Sequence, residues 1–222
     1  MPPVGNDVVD LKDPQNLGKS RDDRFLGRVF TGEERDLILK ADTPDGFLWA
    51  LWAAKEAAFK VVSRAEPGIP SIPRLYPVIL DAKSVFEATN ATAEPIRWLV
   101  GRANTPRGDL TLRIAMGEDY VHAVAVGTPS EFAGVFCSVE KIRDAADLSD
   151  DPSAIVRRRL LEEIARRLGC PVDNLSVRKD SAGRGAPSVF LRERPLTAGI
   201  SLSHDGRFTG FVLDTDSLGR LS

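Results

Sequence analysis

The sequence is short of cysteine, of histidine, of unbalanced charge and of long apolar runs, and each shortage excludes a class of protein. Its 222 residues hold two cysteines, Cys137 and Cys170. They are too few and too far apart for a disulfide framework or a zinc or iron–sulfur ligand set. A reducing, cytoplasmic compartment is expected. Thirty lysines and arginines face 32 aspartates and glutamates, so the basic field that attracts a phosphate backbone is missing, and nucleic acid is not expected as a partner. No apolar run approaches the ~20 residues that cross a bilayer. The first ten residues lack the basic start and hydrophobic stretch of a secretion signal, so no membrane association is expected. Only His122 and His204 can supply an imidazole. What remains is ordinary for a folded protein: 42% hydrophobic and 28% charged residues, in a length that permits one sizeable domain or two small lobes.

The opening run Val4-Gly5-Asn6-Asp7-Val8-Val9-Asp10-Leu11 reads as a strand with acids inside it. Arg21, Arg24 and Arg28 recur at three- and four-residue steps, which stack on one helix face. Thr31 with Glu34 is a capping-box pair opening a helix through Lys40. Thr43-Pro44 starts the strongest helix, with Leu48, Leu51, Trp52, Phe59 and Val62 in helical step and Pro67-Gly68 at its end. A proline-studded surface crossing follows. Residues 110–116 and 120–126 read as a hairpin across Gly117-Glu118-Asp119, and residues 127–130 as a joint. Asp151-Pro152 caps a second amphipathic helix that stops at Gly169. Residues 188–191 and 200–204 read as strands, the latter running into an Asp205-Gly206 turn. Ile114-Ala115-Met116-Gly117-Glu118-Asp119 aligns with Ile200-Ser201-Leu202-Ser203-His204-Asp205. With one long helix before each, this suggests two related halves, 1–130 and 131–222.

Several polar residues sit where packing alone would not place them. At about 100° per residue, Lys55 projects between Leu48, Leu51, Phe59 and Val62. A lysine there either carries its ammonium out to water or meets an anion. Glu56 and Lys60 form a plain helical salt bridge or part of a site. Asp7 and Asp10 belong to a solvated edge strand unless something pairs with them. If Asp7 and Glu56 converge, two carboxylates beside a lysine suit a magnesium–phosphate site. Mg²⁺ takes one or two carboxylates, waters and the substrate's phosphates, and lysine offers a point charge for phosphate oxygens. Alternation puts His204 with Ile200 and Leu202, and Ser201 with Ser203 on the other face. A two-residue turn would set Arg207 across from His204. That group suits a phosphate, and a hydrogen-bonded core histidine is the alternative. His122 reads as a core histidine. Gly183-Arg184-Gly185-Ala186-Pro187 is either a loop that approaches a ligand or a plain turn.

In this order, four segments resemble the 4'-phosphopantetheinyl transferase superfamily. They are Gly5-Asn6-Asp7-Val8-Val9-Asp10-Leu11; Arg24-Phe25-Leu26-Gly27-Arg28-Val29-Phe30-Thr31 with Glu34; Trp52-Ala53-Ala54-Lys55-Glu56-Ala57-Ala58-Phe59-Lys60; and Ile200-Ser201-Leu202-Ser203-His204. The tryptophan–lysine–glutamate–lysine helix is the most specific of them. The resemblance implies an α+β fold and transfer of the phosphopantetheine arm of coenzyme A onto a serine of an apo acyl or peptidyl carrier protein, as in fatty-acid or polyketide synthesis. Asp7 and Glu56 would be ligands of Mg²⁺. Lys55 and Lys60 would meet the pyrophosphate, and Ser203 and His204 would lie near the nucleotide's 3'-phosphate. Gly183, Arg184 and Pro187 take the place of the family's glycine–lysine–proline segment by the adenine, here two residues longer. Arg21, Arg24 and Arg28 fall where relatives dock the carrier. The motif order is that of the short holo-carrier-protein synthases, which build sites between the subunits of a trimer, yet this chain is about twice as long. The expectation is therefore a monomeric pseudo-dimer of two related α+β halves, each a small antiparallel sheet packed with a long helix. One site lies between them, with Asp7, Glu56 and Lys60 from the first half and His204 from the second. Glu118 stands where the second half has His204, so a second site would lack its histidine. The serine's proton goes to Glu56 or to a water. The alternative is a non-catalytic relative that binds carrier proteins or nucleotides.

Overall fold

Helix α3 (Pro44–Ala65) is the organiser of the N-terminal part. Proline in its first turn sacrifices no hydrogen bond, and its buried face runs from Leu48 to Val62. Much of that face is alanine (Ala50, Ala53, Ala54, Ala57, Ala58), so a strand can lie close against it. At Gly5 the approach is closest: a Cβ there would come within 2.1 Å of the Ala57 carbonyl oxygen. The sheet beneath α3 is antiparallel and ordered β1–β6–β5–β4–β2, with β3 on β4. Its strands are β1 (Gly5–Asp10), β2 (Val78–Leu80), β3 (Phe86–Thr89), β4 (Pro95–Thr105), β5 (Gly108–Met116) and β6 (Tyr120–Val126). Two short helices, α1 (Asp23–Val29) and α2 (Gly32–Lys40), precede α3. The expected capping box opens α2: Thr31 accepts from the Glu34 amide and Glu34 accepts from that of Thr31. A computed structural model describes residues 3–81, 86–89, 95–142, 151–179 and 186–218.

The C-terminal part repeats the order of elements. Strand β7 (Val135–Lys141) is followed by α4 (Pro152–Leu168), then β8 (Leu175–Arg178), β9 (Ser188–Leu191), β10 (Arg194–Pro195), β11 (Ile200–Asp205) and β12 (Phe208–Asp214). Helix α4 starts at the Asp151 cap and stops at Gly169, where φ is 62° and glycine carries no steric penalty. The sheets are β11–β12–β7 and β10–β9–β8. In both parts the first strand pairs antiparallel with the last, the last with the one before it, and a long helix follows the first strand. Each part has its own buried core, one around α3 and one around α4. A third, smaller cluster of Val4, Val124, Val126, Phe132 and Val212 joins them. The hairpin turn of β11–β12 falls one residue later than expected, because Asp205 pairs with Phe208. Thr209 therefore lies across from His204, and Arg207 sits in the turn.

The parts meet edge to edge at β1 and β11. Side chains bridge this seam in place of a strand ladder. Ser201 Oγ accepts from the Asn6 amide (3.0 Å), and Asp205 Oδ2 accepts from the Asp10 amide (2.8 Å). Asp10, 1% exposed, receives both arms of the Arg207 guanidinium at 2.8 and 2.7 Å. Among the described residues, no helix is long and apolar enough to cross a membrane.

Candidate active site

Lys60 stands at the centre of the seam. Its ammonium donates to Asp7 Oδ1 at 2.9 Å, to the Asn6 carbonyl at 2.8 Å and to the Leu202 carbonyl at 3.4 Å, so one side chain grips both parts of the chain. Glu56 lies one turn earlier on α3. Among the described residues it forms no ion pair or hydrogen bond. Burial pushes the Asp7 carboxyl above its ordinary value. Lys60 opposes this, and the nearby Asp205 charge adds to it. Burial, then the charge of Asp7, pushes Glu56 up as well, again against Lys60. Two half-sunken carboxylates thus share one lysine and carry surplus negative charge. His204, exposed at the end of β11, is close enough to favour the ionised form of Asp7. Asp7, Glu56, Lys60 and His204 are therefore brought together as the sequence suggested, from three elements and both parts of the chain.

The donor chemistry suits a hard divalent cation. Mg²⁺ needs only one or two protein carboxylates when water and phosphate fill the remaining positions, and the charge surplus at Asp7 and Glu56 is what such an ion would offset. No cluster of three histidine, cysteine or acidic side chains occurs among the described residues, so a cage made of protein alone is not on offer. Beside Lys60 opens a cavity of about 640 Å³, lined by Val4, Ser63, Arg64, Pro187, Ser201 and Leu202, among others.

Three expectations are corrected. Lys55 is fully buried and turned away from the site. Its ammonium lies 2.7 Å from Glu34, donates to the Tyr76 carbonyl at 3.0 Å and faces the Phe30 ring. Burial lowers its pKa against the pull of Glu34. It meets an anion, but an internal one, and is withdrawn from phosphate binding. Ser203 is also buried. Its hydroxyl accepts from Asn6 Nδ2 at 2.8 Å and donates to the Gly210 carbonyl at 3.3 Å, because alternation turns the serines inward toward β1. It is withdrawn from the nucleotide site. Arg207, expected beside His204, is held by Asp10 instead.

Gly183 and Arg184 lie outside the described residues. Pro187 is placed at the cavity, where its carbonyl accepts from Arg64 Nη2 at 2.9 Å. Arg21, Arg24 and Arg28 are all exposed. Arg24 and Arg28 share a shallow cleft with Lys19 and Phe25, whereas Arg21 lies in the preceding 3₁₀ turn. His122 is the core histidine it was expected to be. Burial first, then the Lys60 charge, lowers its pKa to about 3, and its Nε2 lies 3.1 Å from Asn6 Nδ2. Two residues at the site had not been singled out. Asn6 ties β1 to both serines and to His122. Arg64 follows Lys60 by four, a spacing that signals a shared helix face.

The geometry can be set beside that of known proteins. A holo-[acyl-carrier-protein] synthase of Leptospira biflexa serovar Patoc is 42% identical over 65 residues, 29% of this chain and 50% of the relative. The chain thus spans about half the length of the curated relatives it matches. The crystal structure of holo-[acyl-carrier-protein] synthase from Neisseria meningitidis aligns with a TM-score of 0.38 and 25% identity, covering 57% of this chain and 97% of that one. The Thermotoga maritima holo-[acyl-carrier-protein] synthase structure aligns with a TM-score of 0.32 and 17% identity, covering 88% and 86%. The sequence pattern of the 4'-phosphopantetheinyl transferase superfamily matches residues 3–125. That stretch contains β1, α3 and the Asp7–Glu56–Lys60 group and makes up more than half of the 222 residues, and the chain belongs to this superfamily.

Proposed function

We propose that this chain transfers the 4'-phosphopantetheine group from coenzyme A to a serine of an apo carrier protein, with Mg²⁺, at one site between its two halves. The observation that carries this reading is the convergence of Asp7, Glu56 and Lys60 near an exposed His204, with Lys60 also lining a cavity of about 640 Å³. Asp7 and Glu56 would hold the metal, which when bound withdraws charge from the diphosphate. Lys60 would turn its weakest bond, the 3.4 Å one to the Leu202 carbonyl, toward a diphosphate oxygen and position it. The carrier serine attacks the β-phosphorus, the bond to the leaving 3',5'-ADP oxygen breaks, and Glu56 or a water takes the serine proton. His204 faces the nucleotide phosphates, and the exposed Arg24 and Arg28, with Arg21 beside them, offer an acidic carrier its landing surface.

The reading includes two related halves in a monomer, 1–130 and 131–222, in the cytoplasm, where Cys137 and Cys170 stay reduced. The repeated strand order supports duplication. So does the register. Asp7 pairs with Ala123, itself opposite Ile114; Phe136 pairs with Leu213, itself opposite Ile200. The position equivalent to Asp7 is thus a phenylalanine. Arg167 stacks on its ring and pairs with Glu163. The second half has a self-neutralised pair where the first has a charge surplus, which favours a single site.

Mass spectrometry of several apo carrier proteins incubated with the chain, coenzyme A and Mg²⁺ tests the proposal. A phosphopantetheinyl mass gain is expected, lost with EDTA and in a folded Glu56→Gln variant. Binding of coenzyme A with no mass gain on any carrier would make the chain a non-catalytic binder instead.

A further inference from the structure

Arg64 is a half-buried cation that meets no acid among the described residues. It follows Lys60 by one helical turn and lines the same cavity. Nη2 donates to the Pro187 carbonyl at 2.9 Å, whereas Nη1 is buried with no hydrogen-bond partner among the described residues. A guanidinium stays protonated at any physiological pH, and burying one without an acid is costly. Lys55 in the core and Lys60 and Arg207 at the seam each have a carboxylate: Glu34, Asp7 and Asp10. Arg64 has a carbonyl. Burial depresses its pKa with no acid to oppose the effect, which agrees with the geometry.

A fixed positive charge in a cavity, with a donor left over, is the arrangement that selects a phosphomonoester. Four residues of helix separate Arg64 from Lys60, a rise of ~6 Å. A ribose separates its 5'- and 3'-phosphates by a similar span. We propose that Arg64 binds the 3'-phosphate of the nucleotide and sets the preference for coenzyme A over its 3'-dephospho form. This assignment rests on the transferase reading above. It fills the place left by Ser203, whose hydroxyl is spent at the seam, and it draws on the first half of the chain, where the resemblance had pointed to the second. The hydrogen bond to Pro187 gives Arg64 a further duty, pinning the cavity wall from β9's approach to the α3 helix that bears the acids.

The test compares coenzyme A with 3'-dephospho-coenzyme A in wild type, Arg64→Lys and Arg64→Gln. Glutamine keeps a polar amide donor but carries no charge. The ratio of kcat/KM for the two substrates should fall about 10- to 100-fold in Arg64→Gln and be partly restored in Arg64→Lys. A merely structural role would lower both kcat/KM values together and leave the ratio unmoved, which would overturn the proposal. If wild type transfers nothing, the transferase reading fails separately. Calorimetry with adenosine 3',5'-bisphosphate then decides on Arg64 alone. Binding that drops at least tenfold in Arg64→Gln upholds the assignment; equal binding, or none to wild type, removes it.

Discussion

Lys55 and Glu34 show what one buried charge demands. Both are sealed from water, 0% and 2% exposed at the side chain, and each is the other's counter-charge. Glu34 also caps α2 and accepts from the Val78 amide at 2.7 Å. Lys55→Met should cost about 3–5 kcal/mol in urea unfolding, because it strands a buried carboxylate. The double variant with Glu34→Gln should recover part of that loss. The sequence made Lys55 legible as an anomaly, a lysine on an apolar stripe, and so made its need for an anion legible. It hid which anion, because a helix pattern records one element's faces and says nothing of what another element packs against them. For the same reason Asp7, Glu56 and Lys60 were readable by motif, while Ser203 was misassigned once its inward-facing neighbour was unknown.

Two elements are held in place by contacts that a single substitution removes. Gly5 lets β1 lie against the α3 backbone, with room for no methyl group. Gly5→Ala should push Asp7 away from Glu56, lowering thermal stability and abolishing transfer even where a circular dichroism spectrum remains helical. The β11–β12 hairpin is fixed to β1 through Arg207 and Asp10. Arg207→Ala should destabilise by about 2–4 kcal/mol in denaturant titration, since it leaves Asp10 buried and unpaired. At this scale the sequence was a good guide wherever a local signal existed. The caps of α2 and α4, the β5–β6 hairpin and the strand 188–191 were all readable. Strands β7 and β8 were not, because Val135–Lys141 lacks clean alternation and Leu175–Arg178 is only four residues long. The hairpin turn was read one residue early: the favoured Asp-Gly pair yielded to the register that puts Asp205 opposite Phe208.

For the whole molecule, the perturbed groups predict a stability curve that slopes on both sides. His122 has its pKa depressed to about 3 by burial, against roughly 6.5 in an unfolded chain. Its contribution is full above that unfolded value and is lost as pH falls toward 3. Burial works to raise Asp10, but the Arg207 hydrogen bonds prevail and lower it, so its contribution is lost further down, below the ordinary carboxylate range. Asp7 and Glu56 are raised and act in the opposite sense. Their contribution is present below the unfolded carboxylate value and disappears as pH rises through the raised ones. Thermal melts against pH should therefore fall on the acid side from about pH 6.5 downward. On the proposed reading, Mg²⁺ should raise the midpoint near pH 8, and by less as pH falls through the raised carboxyl values of Asp7 and Glu56. An Asp7→Asn variant should lose most of the Mg²⁺ shift.

The seam between β1 and β11 has one more consequence. Each of these strands is the outer strand of its sheet, and side chains of the opposite part reach its backbone: Ser201 and Asp205 accept from β1 amides, and Lys60 donates to the Leu202 carbonyl of β11. A chain severed near residue 130 would bare two sticky margins, each ready to recruit a foreign strand. Cleavage there should thus yield insoluble material instead of two tidy miniature proteins, and the covalent joint serves solubility as much as it serves chemistry.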